Sequence, residues 1–239
     1  MTTQITTHNP VRSDLPAGEL DLTPAVPRPG RGWAVAGVAA ALSAVAGTVC
    51  SFSILSVYDD DLAGDAEAIA ADLGDKVVFM VGFHVFQTLA AVLMAVFALG
   101  LFRRLRAALP ADSLLPALAA FGLLGTSVVV VLGAGLDTEF AFAAADEGTV
   151  VPEALVVYNH WIGTIPAVWV LTGLTGLALF GAARQGALAR WVGLVGLVLG
   201  GLSLVTGVSP LQYMAGLTGT LMLLVVAAAL ALGDRAHRA

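Results

Sequence analysis

Residues 82–106, GFHVFQTLAAVLMAVFALGLFRRLR, decide the fold, because an apolar run that is long enough to cross a bilayer ends there in a basic cluster. A transmembrane helix needs roughly 20 apolar residues to cross a hydrocarbon core of about 30 Å. The run carries no Asp, Glu, Lys or Arg before Arg103. The stretch therefore predicts a membrane span that ends at a short arginine-rich loop.

The composition of the whole chain is that of a membrane protein. Of its 239 residues, 58% are hydrophobic and only 12% are charged, whereas soluble proteins carry roughly a quarter charged residues. The mean hydropathy is +0.90. The net charge of −6 argues against nucleic-acid binding, because phosphate contacts need clustered Lys and Arg. A single cysteine, Cys50, excludes an intrachain disulfide and a thiolate zinc site of the usual kind.

Six segments have the length and apolarity of a span, and they predict an all-α fold, a bundle of six transmembrane helices. The proline-rich residues 1–32 cannot bury enough apolar surface to order themselves, so we expect a disordered cytoplasmic tail. Residues 233–239 are expected to form a second cytoplasmic tail. The predicted spans are approximately residues 33–56, 77–102, 114–136, 156–182, 191–208 and 211–232.

The arginines predict the orientation of the bundle. Arginines lie before the first span, after the second, between the fourth and fifth, and after the sixth. The loops 57–76 and 137–155 hold acidic residues and one base, Lys76. Because short basic loops stay in the cytoplasm, both termini are predicted inside. Ten arginines against one lysine are typical of a GC-rich genome, which favours a bacterial cytoplasmic membrane.

Two further patterns describe how the bundle is built. Residues 65–76, DAEAIAADLGDK, place Ile69 and Leu73 four apart, which predicts a short amphipathic helix on the outer membrane face. Small residues recur at helical spacing within four spans, which favours close helix packing. These small residues are Ser43, Gly47 and Ser51; Gly122, Gly125 and Thr126; Thr172, Gly173, Thr175 and Gly176; and Gly196 and Gly200.

Charged side chains are missing from all six predicted spans. Ion-coupled carriers and proton pumps place such residues inside the membrane at a cost of about 2.5–3.5 kcal/mol each. A carboxylate-coupled transporter is therefore disfavoured, although a facilitator of uncharged molecules is compatible with the pattern.

Polar side chains collect in the outer half of the bundle. His84 lies about seven residues inside the second span, roughly 10 Å below its outer end, and Gln87 follows on the same helix face. His160 lies near the outer start of the fourth span, at a similar predicted depth. The candidate ligand-binding residues are His84, Gln87, Asp137, Tyr158, Asn159 and His160.

Three interpretations of this cluster remain open. His84 and Gln87 can hydrogen-bond between helices, with Tyr158, Trp161 and Tyr213 in an interfacial aromatic belt. Alternatively, His84 and His160 can bind a divalent metal together with Asp137 or Glu139, or they can ligate a haem as a bis-histidine pair. The chain contains no nucleophile elbow and no paired carboxylates within a span, so no catalytic residue is predicted.

The segments GFHVFQTLAAVLMAVFALGLFRRLR and ARWVGLVGLVLGGLSLV, residues 82–106 and 189–205, resemble those of uncharacterised multi-span bacterial membrane proteins of the domain-of-unknown-function type. In this chain and in those proteins, one helix ends in a basic cluster and a later helix begins with a basic residue and tryptophan. The resemblance implies a six-helix bundle and no activity.

The sequence favours a non-enzymatic integral membrane protein. Its expected role is that of an accessory, partner-binding or small-solute-handling protein, in contact with lipid and with a membrane-protein partner or further copies of itself. The alternative is a haem- or metal-binding membrane protein, redox or hydrolytic, centred on His84 and His160.

Overall fold

The computed structural model describes residues 30–146 and 149–233, and these residues contain helices and no strand. Six of the helices are long and apolar enough to cross a membrane, which confirms the all-α, six-span prediction. The predicted tails lie almost entirely outside the described residues. The helices are α1 (Gly32–Ser53), the short α2 (Ala66–Asp75), α3 (Val77–Ala108), α4 (Leu115–Ala145), α5 (Pro152–Arg184), α6 (Arg190–Gly207) and α7 (Met214–Leu232).

The spans alternate in direction, so the bundle has two chemically different ends. We call the end formed by residues 54–76, 137–146 and 149–155 the acidic end, and the end formed by residues 30–31, 103–114 and 184–190 the arginine end. At the arginine end, the Arg31 guanidinium donates hydrogen bonds of 3.4 Å to the carbonyl oxygens of Ala231 and Leu232. These bonds tie the start of α1 to the last turn of α7.

The outer surface of the bundle is apolar. On α3, the side chains of Val85, Val92 and Leu99 are about half exposed, and every other span carries exposed large apolar side chains as well. Six apolar spans with such a surface are those of a multi-pass membrane protein whose helices contact lipid.

The interior between the spans is filled mainly by small and aliphatic side chains. Ala40 and Ala44 of α1 and Ala90 of α3 are buried in one core cluster that extends to the arginine end. In the same part of the bundle, the ring of Trp33 stacks on that of Phe97 at a centroid distance of 5.7 Å. The small alanine side chains let α1 and α3 pack closely. Close packing stabilises membrane helices, because apolar burial alone gains little when lipid is equally apolar.

The predicted small-residue faces of the fourth and fifth spans meet in the structure. α6 contains one π-helical turn, Gly196–Gly200, and this turn lies against Gly173 and Gly176 of α5. A Cβ atom on Gly200 would lie 2.7 Å from the Cα atom of Gly176. The two backbones therefore touch at a position where only glycine fits.

Two spans contain 3₁₀ segments that place polar groups. α4 tightens into a 3₁₀ turn at Ala134–Leu136, and α5 contains a 3₁₀ segment at Ile165–Leu171. The second segment includes Pro166, which has no backbone N–H to donate to a regular helical hydrogen bond. α4 then continues past residue 136, the predicted end of the third span, to Ala145. The expectation that no span contains an acidic residue is wrong for this helix, because Asp137 lies inside it and is fully buried.

A second core cluster closes the acidic end. α2 contributes Ile69 and Leu73, both buried, to a cluster that includes Phe83 of α3 and Ile162 of α5. This burial confirms the predicted amphipathic helix. Its first turn is capped by Asp65, whose carboxylate accepts a hydrogen bond of 3.0 Å from the Ala68 amide, as expected of an N-cap aspartate. Through its buried residues, α2 packs across the ends of α4 and α5.

The contact between α5 and α6 yields a test with a neighbouring control. We expect Gly200→Ala to lower the free energy of unfolding in detergent micelles by about 1–3 kcal/mol, because the added methyl group overpacks the helix contact. Gly201→Ala adds the same methyl group where no atom lies within 4 Å, so its effect should stay within about 0.5 kcal/mol. Equal losses in the two variants would contradict this account of the contact.

Candidate functional site

Asp137 lies at the centre of the polar residues of the acidic end. Its side chain is 0% exposed and is contacted from two other helices. The Tyr158 hydroxyl of α5 donates a hydrogen bond of 2.9 Å to Asp137 Oδ1, and His84 Nδ1 of α3 lies 3.6 Å from Asp137 Oδ2. Oδ2 has no hydrogen-bond partner among the described residues. One carboxyl group therefore joins three spans, with one of its oxygens left without a hydrogen bond.

The neighbours of His84 fix the proton on one of its ring nitrogens. Nδ1 lies 3.2 Å from the carbonyl oxygen of Ala134, and a carbonyl oxygen can only accept a hydrogen bond. Nδ1 therefore carries the proton of the neutral ring, and Nε2 is the nitrogen without one. The His84 side chain is 30% exposed, whereas Asp137 is fully enclosed. The ring is the partly open member of the pair.

The 3₁₀ turn in α4 explains why these acceptors are available. A 3₁₀ turn shifts the backbone pairing from i+4 to i+3, and carbonyl groups at such a break can take side-chain donors. The indole Nε1–H of Trp161 donates 2.8 Å to the Gly133 carbonyl oxygen, next to the Ala134 carbonyl that accepts from His84. Two adjacent carbonyls of α4 thus receive side chains from α5 and α3.

Tyr158 is not part of an interfacial aromatic belt, and that expectation is wrong. The side chain is 1% exposed, and its ring stacks on Phe140 with a centroid distance of 4.6 Å and an interplanar angle of 9°. The apolar ring is buried in the second core while the hydroxyl reaches Asp137, which is the usual arrangement for a buried tyrosine. Trp161 and Tyr213, in contrast, are 38% and 46% exposed.

Asn159 holds the loop that follows α1. Its Oδ1 accepts a hydrogen bond of 2.8 Å from the Val57 amide, and its Nδ2 donates to the Ile54 carbonyl oxygen. The side chain is 0% exposed, and both of its polar atoms are occupied by backbone groups. Asn159 therefore acts as a connection between α5 and the end of α1, with little capacity left for a ligand.

His160 and His84 contact different residues. Its side chain is exposed, and its ring meets the ring of Tyr58 edge-on at a centroid distance of 5.6 Å. Gln87 is buried, with its amide group against Gly47 of α1, and its Oε1 has no partner among the described residues. The structure therefore brings together His84, Asp137 and Tyr158, and it places Asn159, His160 and Gln87 in three other environments.

A second polar group fixes α2 to the loop before it. Asp72 accepts hydrogen bonds from Ser56 Oγ and from Lys76 Nζ, each 2.5 Å long. Partial burial alone would raise the pKa of Asp72, but these hydrogen bonds and the Lys76 charge outweigh it and hold the pKa below 3.8. Asp72 therefore stays ionised at neutral pH and keeps its partners.

The metal interpretation uses His84 and His160 together with Asp137 or Glu139 as ligands. Within residues 30–146 and 149–233, no group of three or more His, Cys, Asp or Glu side chains is close enough together to hold a metal ion. His84 and Asp137 would supply two ligands. The metal and haem interpretations both use His160 as well, and the ring of His160 packs edge-on against the ring of Tyr58.

A groove of about 690 Å³ lies at the other end of the bundle, between α6 and α7. Trp191, Leu224 and Val225 are among its lining residues, none of which is titratable. The groove is therefore mainly apolar, in contrast to the cluster of His84, Asp137 and Tyr158 at the acidic end.

Sequence reasoning found the side chains of the site but missed their partners. Most of these partners are backbone groups, namely the carbonyls of Ile54, Gly133 and Ala134 and the Val57 amide, and no side-chain type marks them. The GAG stretch at residues 133–135 was the one available signal, since small flexible residues favour a helix break. The chain matches no protein-family model, no curated protein and no solved structure.

Proposed function

We propose that this chain is a multi-pass protein of a bacterial cytoplasmic membrane that binds a partner or handles a small solute and does not itself catalyse a reaction. The distribution of charge supports the orientation. The described arginines lie at one end, and all of the described acidic residues except Asp112 lie at the other, so the positive-inside rule favours both termini in the cytoplasm. The acidic end then faces the outside of the cell.

One observation carries the binding role, which is that the polar residues of the acidic end hold each other in place. Asn159 binds the backbone after α1, Tyr158 binds Asp137, and Asp72 binds Ser56 and Lys76. The bonds of Asn159 and Tyr158 join segments that are distant in sequence, and those of Asp72 join α2 to the segments next to it in the chain. The result is a cap of fixed shape over the bundle, and a fixed surface suits recognition because little order is lost on binding.

The exposed face of this cap is strongly acidic. Asp59, Asp60, Asp61, Asp65 and Glu67 are all exposed, and the nearest base, Lys76, is paired with Asp72. Such a field attracts cations and basic surfaces and repels nucleic acid. The proposed partner or solute therefore carries positive charge or is brought to the membrane by a basic surface.

Purification tests the proposal against the haem and metal alternative. We expect the detergent-solubilised protein to show no Soret band and no stoichiometric metal, because residues 30–146 and 149–233 gather no three His, Cys, Asp or Glu side chains that could hold a metal ion, and the ring of His160 packs against that of Tyr58. A Soret band, or one bound metal per chain, that is lost on replacing either His84 or His160 by alanine would establish the alternative instead.

Cysteine labelling tests the orientation. In a Cys50→Ser background, we expect Asp60→Cys to react with a membrane-impermeant maleimide on intact cells, since residue 60 is exposed at the acidic end. Gln185→Cys, exposed at the arginine end, should react only after the cells are permeabilised. Labelling in the reverse pattern would place the termini outside and remove this part of the proposal.

A further inference from the structure

The pair formed by His84 and Asp137 has a feature that helix packing leaves unexplained. A carboxyl group that is 0% exposed needs either a proton or a nearby positive charge, because an isolated buried charge is costly. Tyr158 supplies one hydrogen bond to Oδ1. Oδ2 has no hydrogen-bond partner among the described residues, and His84 Nδ1 lies 3.6 Å from it.

We propose that His84 and Asp137 form a binding site for one exchangeable proton in the acidic-end half of the bundle, with the partly exposed edge of His84 as its entry and the Asp137 carboxylate as its counter-charge. The proton binds at His84 Nε2, because Nδ1 already carries the proton that faces the Ala134 carbonyl. Protonation turns the ring into an imidazolium. Its charge then neutralises the buried carboxylate of Asp137 at 3.6 Å.

The site has the parts that a proton exchange requires. His84 is 30% exposed and Asp137 is 0% exposed, so the pair exchanges its proton with the solvent at the ring of His84. Tyr158 holds Oδ1 and thereby directs Oδ2 toward His84. No covalent step is involved: one proton binds and leaves, and the pair gains and loses one positive charge.

The other charged groups nearby do not take this role. On α4, Glu139 is exposed, and on α5, His160 is exposed. On α2, which packs across α4 and α5, Glu67 and Asp75 are exposed, and Asp72 is paired with Lys76, the residue that precedes α3. The three groups that face one another are therefore His84, Asp137 and Tyr158.

The inference goes beyond the proposed function and can fail separately from it. A binding protein without a proton site would leave the proposed function intact. A haem or metal bound to His84 would contradict the proposed non-catalytic binding role, and it would also occupy Nε2, the nitrogen to which the proton binds. The absorption spectrum and metal analysis of the purified protein detect such a group before any titration.

Infrared difference spectroscopy tests the site on the full-length protein reconstituted in lipid bilayers, as the pH is stepped from alkaline to acid. In the wild type, we expect a carboxyl band and imidazole ring bands to change together, because strongly interacting groups titrate as a pair. Asp137→Asn should abolish the carboxyl component. His84→Gln should abolish the ring component and move the midpoint of the carboxyl change by about tenfold or more in proton concentration.

Matched controls and a second kind of variant keep the test decisive. Glu139→Gln and His160→Gln, exposed on α4 and α5, should leave the coupled change intact. If Asp137→Asn does not fold, Tyr158→Phe retains both titrating groups and should shift the frequency of the carboxyl band without removing it. The proposal is overturned if no band depends on Asp137 or Tyr158, or if the ring and carboxyl bands of the wild type change independently and His84→Gln leaves the carboxyl midpoint where it was.

Discussion

The burial of one carboxyl group, that of Asp137, imposes the constraint on which the acidic end of this membrane protein depends. In a hydrocarbon environment no water is present to satisfy polar groups, so each must find its partner within the protein. Asp137 meets this requirement at Oδ1 through the hydroxyl of Tyr158 on α5, while His84 of α3 lies 3.6 Å from Oδ2. Three of the six spans are thereby held in register around a single side chain, and the second core of the bundle forms beside it.

The two ends of the bundle are stabilised by different physics. Toward the arginine end, alanine and glycine contacts bring helices close together, as between α1 and α3 and between α5 and α6. At the acidic end, hydrogen bonds to backbone groups do this work, through Asn159 to the loop after α1 and through Trp161 to the 3₁₀ turn of α4. Such bonds are worth about 0.6 kcal/mol each on average in membrane helices, so several are needed, and several are present.

The sequence predicts the architecture well because its signals are long and apolar. Each span is a run of apolar residues, and Ile69 and Leu73 of α2 mark the face that is buried. The candidate site was predicted only as a set of side chains. The predicted third span ends just before Asp137, since composition cannot show that a carboxyl group is contacted from two other helices. For the same reason the sequence leaves Tyr158 open between an interfacial belt and a ligand site, and the acceptors of His84, Asn159 and Trp161 are backbone groups that no residue type reveals.

A double-mutant cycle between Asp137→Leu and Tyr158→Phe tests the central claim most directly. Each single replacement leaves a buried polar group without its partner, whereas the double replacement removes both groups at once. The account predicts that the two losses in free energy of unfolding are not additive and that the coupling is about 1 kcal/mol. Losses that add to within about 0.3 kcal/mol, as for independent sites, would contradict the claim that this bond holds the acidic end together.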